Sequence, residues 1–177
     1  MSEAASPSKT STSRKSERSG PSATPLAGKM EGSVHVLLVR VYYEDTDALG
    51  LVYYANYLKF MERGRTDMLR LLDIGRHDPV AGDAEGLFVV RHCSIDFLKP
   101  ARLDDILEIR TSVAGLGGAT LDLHQVIRGG GTDLATARVK AACVDKSGRA
   151  RRISPKIRQK LQHLCVKMQP KADKNAQ

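Results

Sequence analysis

The stretch YYEDTDALGLVYYANYLKFMER, residues 42–63, holds three carboxylates, Glu44, Asp45 and Asp47, within four positions, followed by Gly50 and an apolar, aromatic run. Carboxylates at this density have three chemical uses. The first is cation binding, since Asp45, Asp47 and Gly50 fall on the first, third and sixth positions of a calcium loop. The fifth and twelfth positions are Leu49 and Asn56, so the oxygen ligands such a loop requires are missing and no metal site is expected. The second use is helix capping, the ordinary meaning of Asp before a helix. The third is hydrolysis of an activated acyl group. A carboxylate beside unsatisfied amide donors can activate water or attack the carbonyl itself while the amides stabilise the oxyanion.

Which use applies depends on the elements around the cluster. From Val34, VHVLLVRVYY is β-branched, apolar and aromatic and predicts a strand ending before Glu44. Over residues 54–72, Tyr57, Phe60, Met61, Gly64, Met68, Leu71 and Leu72 form a stripe of period near 3.6 with charged residues between, which predicts one long helix stopped by Gly75. The acids therefore lie at the N-terminus of that helix, where the first amides have no intrahelical partner and the dipole favours negative charge.

After a polar connection containing HDPVAGDAEG come four strand-like runs: LFVVRHCSIDFL, DILEIRTSVAG, ATLDLHQVIR and DLATARVKAACVD. The breaks GLGG and GGGT between the later runs predict antiparallel hairpins. Leu107, Ile109 and Val113 alternate with Glu108, Arg110 and Ser112, and Leu121, Leu123 and Ile127 with Asp122, His124 and Arg128. One helix and five strands make an α+β layer pair. A single helix cannot cover both faces and edges of such a sheet, so homo-oligomerisation is expected.

Composition narrows the function classes. The chain has 177 residues, 41% of them hydrophobic, and a net charge of +8. That size suits one core. The charge is at the ends: residues 1–33 carry +2, residues 146–177 carry +9, and residues 34–145 carry −3. A nucleic-acid groove through the core is therefore not expected, and no stacking platform or recognised motif accompanies the basic tails. Residues 1–33, rich in Ser, Thr, Pro and Gly, predict a disordered tail. Residues 34–155 form the domain and residues 156–177 a basic C-terminal helix and tail, which leaves peripheral attraction to an anionic surface open. No run approaches the roughly 18 apolar residues of a membrane span and no secretory signal is evident, so a cytoplasmic location is expected. Cys93, Cys143 and Cys165 have neither disulfide nor metal spacing.

The stretch YYEDTDALGLVYYANYLKFMERGRTDMLR, with FVVRHCSIDFLKPARLDDILEIRT and ARVKAACVD, resembles the hot-dog-fold acyl-CoA thioesterases. The branch is that of 4-hydroxybenzoyl-CoA thioesterase and the Tol-Pal-associated acyl-CoA thioesterases. The resemblance covers about residues 34–155 and is most specific at D-x-D-x-x-G-x-V-Y. It implies a five-stranded antiparallel sheet wrapped around one long helix, a homodimer or homotetramer with the active site between subunits, and hydrolysis of acyl-CoA without a cofactor. By position it implies Asp47 as the essential carboxylate, nucleophile or general base. It likewise implies Gly50 as the glycine that lets the backbone pass close to the thioester, and the backbone N–H of Tyr54 as the oxyanion donor. The Tol-Pal-associated branch commonly has histidine where Tyr54 stands, and Leu49 stands where glycine or alanine is usual. A hot-dog protein that binds acyl-CoA without hydrolysing it is the rival reading, against which intact Asp47 weighs.

Lys99, Arg102, Lys140, Arg151 and Arg152 are candidates for the phosphates of coenzyme A. Ser94 lacks a nucleophile elbow around it, and His92 and His124 lack ligand-spaced neighbours, so these read as strand residues. Glu62 reads as a partner in a helix-surface ion pair.

Overall fold

The computed structural model describes residues 27–75 and 87–165; the polar connection around HDPVAGDAEG lies outside them. Strands β1 (Lys29–Glu31), β2 (Val34–Arg40), β3 (Leu87–Phe97), β4 (Ile106–Leu116), β5 (Thr120–Gly129) and β6 (Thr132–Val144) form one antiparallel sheet in the order β1-β2-β4-β5-β6-β3. Helix α1 (Tyr54–Leu71) lies on one face and the short α2 (Pro155–Gln162) closes one end. Among the described residues no helix is long and apolar enough to cross a membrane.

The architecture is the α+β sheet-on-helix expected, with one strand more than the five read from the sequence. Residues 29–31, placed in a disordered tail, instead pair with β2 through Lys29↔Val36, Met30↔His35 and Glu31↔Val34. Three residues are too few to display a period, and their order comes from partners distant in sequence. The Gly28 amide donates to Asp67 Oδ2 of α1 at 2.7 Å, and that oxygen also lies 2.9 Å from His35 Nε2.

The stripe on α1 lands as its period predicts: Tyr57, Phe60, Met61, Gly64 and Met68 are buried, whereas Leu71 at the helix end is not. Gly64 lets the helix approach the sheet, since a Cβ there would stand 2.7 Å from Ile109 Cγ2 and 3.1 Å from Thr111 Oγ1. Around this contact Val41, Val52, Tyr57, Phe60, Leu107, Ile109 and Ile127 form one core cluster beneath the helix N-terminus. A second, under its C-terminal half, joins Met68 to Val113, Leu121, Leu123, Ile153 and α2 residues Ile157 and Leu161. Ser154 caps α2 and Pro155 opens it; Ile157 and Leu161 enter the core, while Arg158 donates to Gly117 O and Lys160 to Leu72 O at 2.8 Å.

Alternation on β4 and β5 also holds: Leu107, Ile109, Val113, Leu121, Leu123 and Ile127 are buried against the helix. The opposite face is polar and ion-paired, through Arg110 with Glu31 and Glu108, Lys140 with Asp122, and Arg128 with Asp133. Exposed apolar groups remain on that face at Leu38 of β2 and Ile106 of β4, and on the edge strand β3, which pairs only with β6, where Val89, Val90 and Phe97 are exposed. Cys93 in this strand is exposed as well, whereas Cys143 of β6 is buried.

Candidate active site

Between β2 and α1 the chain makes a 3-10 turn (Tyr43–Asp45) and then doubles back on itself. Tyr53 N donates to Asp45 O at 2.9 Å, Thr46 bridges Val52, and Asp47 N donates to Leu51 O at 2.8 Å. This three-rung ladder puts Asp47 and the first turn of α1 at the same end of the helix, with Asp47 two residues, roughly 7 Å of extended backbone, from the Asp45–Tyr53 rung. Gly50 closes the turn with φ +71, and a Cβ there would meet nothing within 4 Å, so its role is conformational. Its amide donates to Asp47 O at 3.0 Å.

The Asp47 side chain caps its own turn rather than the helix. Oδ1 accepts from the amides of Leu49 at 2.8 Å and Leu51 at 3.2 Å. These bonds fix the carboxylate on an exposed loop. Asp45 is the buried acid of the cluster: its Oδ2 accepts from Tyr42 N at 3.0 Å, which makes it structural. Glu44 is exposed.

No side chain caps α1, because its N-cap is Tyr53, and its first turn contains no acid. The Asn56 amide donates to Tyr53 O at 2.8 Å, so the amides of Tyr54 and Ala55 are left to an outside acceptor at the positive end of the dipole. The Tyr54 ring meets Tyr53 at 4.6 Å between centroids and turns its edge toward Phe97 at 6.4 Å; Phe97 also packs on Tyr57 at 5.4 Å. The β3 terminus is thereby part of the same aromatic surface.

A second loop, residues 98–105, backs the first. Val52 N donates to Ala101 O at 2.9 Å, Leu103 N to Gly50 O at 3.2 Å, and Leu51 bridges Arg102. The buried Tyr57 hydroxyl accepts from Ala101 N at 2.8 Å, a polar role that the helical stripe conceals. Asn56, noticed in the sequence only as a failed calcium ligand, is buried and donates from Nδ2 to Asp45 O at 2.9 Å. A short polar residue in a first helical turn was the available signal.

The five candidate cations do not converge. Lys99 and Arg102 belong to the 98–105 loop beside Gly50 and Leu51; Lys99 N donates to Leu134 O at 3.1 Å. Lys140 pairs with Asp122 at 3.5 Å. Arg151 N donates to Cys143 O at 2.9 Å, and Arg152 is exposed beside it. Leu134 and Cys143 are nine residues apart on β6, about 30 Å of extended strand, so Arg151 and Arg152 lie at the opposite end of the sheet from Asp47 within one subunit. Glu62 forms an ion pair with Arg65 on the helix surface. His92 is an exposed strand residue. Among the described residues no group of three or more His, Cys, Asp or Glu is placed to hold a metal ion.

This arrangement can be set against known proteins. Residues 49–136 match the thioesterase superfamily. The chain is 45% identical over 107 residues to the acyl-CoA thioesterase YbgC of Haemophilus influenzae, covering 60% of this chain and 78% of that protein. A probable thioesterase from Bartonella henselae is similar in structure, with a TM-score of 0.63 and 40% identity over 68% of this chain and 99% of that one. So is a thioesterase from Thermus thermophilus solved with coenzyme A and Zn, with a TM-score of 0.64 and 29% identity over 76% of this chain and 96% of that one. By sequence and by fold, the chain belongs to the thioesterase superfamily and has its hot-dog fold.

Proposed function

We propose that this thioesterase hydrolyses acyl-CoA to a free acid and coenzyme A, with Asp47 as the reacting carboxylate and the Tyr54 amide as the oxyanion donor. The observation that carries the reading is the ladder from Asp45–Tyr53 to Asp47–Leu51, which holds a carboxylate and an uncapped helix N-terminus on one short piece of chain. The acyl-CoA thioesterase activity of the Haemophilus influenzae relative supports the substrate class.

An oxygen lone pair attacks the thioester carbonyl, coming from the Asp47 carboxylate itself or from a water whose proton Asp47 takes. The resulting oxyanion lies against the Tyr54 N–H, and collapse breaks the C–S bond to release the thiolate of coenzyme A, which then takes up a proton. A thiolate leaves readily, so no strong general acid is needed. If Asp47 is itself the nucleophile, the acyl-enzyme is a mixed anhydride, and one water then cleaves it to the free acid and the regenerated carboxylate. Lys99 and Arg102 meet the phosphates of coenzyme A; Lys140, Arg151 and Arg152 are too dispersed within one subunit to join them.

The site as one subunit presents it is open, with Leu49 79% and Tyr54 61% exposed. Electrostatic stabilisation of an oxyanion strengthens when water is excluded. A second copy of the chain docking along the free edge of β3 covers Val89, Val90 and Phe97 and encloses this surface, so the working form is a homo-oligomer, located in the cytoplasm.

The test is the Asp47→Asn variant, assayed by free-thiol release over short, long and aromatic acyl-CoAs. Turnover drops by about 10² to 10⁴ while the fold and oligomer persist. A folded variant as fast as the parent on every substrate would refute the assignment. Single turnover in ¹⁸O-labelled water identifies a nucleophilic carboxylate when water opens the anhydride at the Asp47 carboxyl carbon, since label then enters the Asp47 peptide, whereas the general-base route puts it in the product acid alone.

A further inference from the structure

We propose that Asn56 is a positioning residue for the hydrolysis, its side-chain amide fixing the loop that carries Asp47 against the helix turn that carries the Tyr54 amide. The inference rests on the site assignment above. Asn56 is only 6% exposed, and its Nδ2 donates to the carbonyl of Asp45 at 2.9 Å. The same carbonyl accepts the Tyr53 amide at 2.9 Å, and the Asn56 amide donates to Tyr53 O at 2.8 Å. A carbonyl has two lone pairs, so both donors can be satisfied at once.

The result is a closed ring of bonds through Asp45, Tyr53 and Asn56. Asp45 is two residues before Asp47, and Tyr53 immediately precedes Tyr54. The ladder's backbone bonds tie the Asp47 loop to residues 51–53, ahead of the helix, and leave the pair a pivot at the Tyr53–Tyr54 junction. A second bond to the same oxygen, from a side chain rooted inside the helix, removes that freedom. The Asp45 carboxylate cannot substitute, since it is directed at Tyr42 N. The relative placement of the carboxylate and the oxyanion donor, which belong to different segments, is therefore set by a side chain that touches neither the thioester nor Asp47. Displacing a reacting group by about 1 Å is enough to cost on the order of 10²-fold in rate.

An alternative is that Asn56 merely satisfies a buried carbonyl, in which case its loss would cost stability and not turnover. Asn56→Asp separates the two, because it is nearly isosteric and its donor depends on pH. With the new carboxyl ionised, the donor is gone and kcat falls about 10- to 100-fold with KM within about twofold of the parent. On acidification the protonated carboxyl donates to Asp45 O, and kcat relative to the parent recovers. Asn56→Ser and Asn56→Ala form the second pair, should the aspartate variant not fold. The hydroxyl keeps a donor, so the serine variant turns over at least about 5-fold faster than the alanine variant at equal melting temperature, a fraction of the loss that misplacement brings.

A folded Asn56→Asp with parental kcat at every pH overturns the proposal. So does a serine variant no faster than alanine, or a kcat loss that tracks melting temperature alone. If the parent releases no thiol from any acyl-CoA, the site assignment fails. If the parent is active and Asn56→Ala is unimpaired, only this inference fails.

Discussion

The Tyr57 hydroxyl accepts the backbone N–H of Ala101 at 2.8 Å inside the core. Asn56 and Tyr57 are adjacent on α1, and their polar ends engage the two loops that flank Gly50: Asn56 the acidic turn, Tyr57 the 98–105 loop. The helix N-terminus is thus pegged on both sides, and the Gly50 carbonyl, bonded to Leu103 N, is held between.

Tyr57→Phe keeps the ring packing against Phe60 and Phe97 but leaves the buried Ala101 amide without its acceptor. The unsatisfied donor costs about 1–3 kcal/mol. Urea denaturation should show a lower midpoint at unchanged slope, with turnover reduced as the 98–105 loop loosens.

Gly64→Ala reverses the usual sign of a helix glycine substitution. In an open helix it would stabilise by roughly 0.5–1 kcal/mol. Here the new methyl meets Ile109 Cγ2 at 2.7 Å within the core, so helix and sheet must separate and the net effect is a loss of about 1–3 kcal/mol. Calorimetry that found Gly64→Ala more stable than the parent would contradict the close approach.

His35 is fully buried against Asp67, and burial, only partly opposed by that carboxylate, lowers its pKa from the ordinary 6.5. The unfolded chain therefore binds a proton that the folded one resists. The stability from keeping this imidazole neutral is complete above pH 6.5 and is lost as pH falls from there through the lower folded value. Melting temperature should drop on acidification over this window, and His35→Gln should flatten that part of the curve.

Removal of residues 1–33 should be more costly than the composition of the segment suggests. It deletes β1 and the bond from Gly28 N to Asp67 Oδ2, and it uncovers Val36 of β2. Removal of residues 1–26 spares all three. Thermal melts of the two truncations should differ, the longer deletion being the less stable, with acyl-CoA hydrolysis of the shorter one close to that of the full chain.

Replacing Lys99 and Arg102 together by Ala should raise KM for acyl-CoA several-fold and weaken its salt dependence, while an N-acetylcysteamine thioester, which lacks the phosphates, is hydrolysed as before. Lys140→Ala, which breaks only the pair with Asp122, should leave both substrates unaffected. Equal effects on the two substrates would remove Lys99 and Arg102 from the phosphate site.

Residue order alone determined the long helix, the strands β2 to β6 and the acidic turn, because each is a local pattern: a 3.6 stripe from Tyr57 to Met68, alternation on β4 and β5, and Asp47 and Gly50 ahead of a helix start. It also carried the family resemblance, which resides in the same stretch. The tertiary structure alone decided that Lys29–Glu31 is a strand, that the outer sheet face is ion-paired, and that the five candidate cations divide between two ends of β6. It also decided that Asn56 and Tyr57 serve as polar pegs. These features depend on pairing between residues far apart in the chain, and on side-chain bonds to backbone carbonyls and amides. Every residue type offers that backbone, so such bonds leave no mark on composition or period.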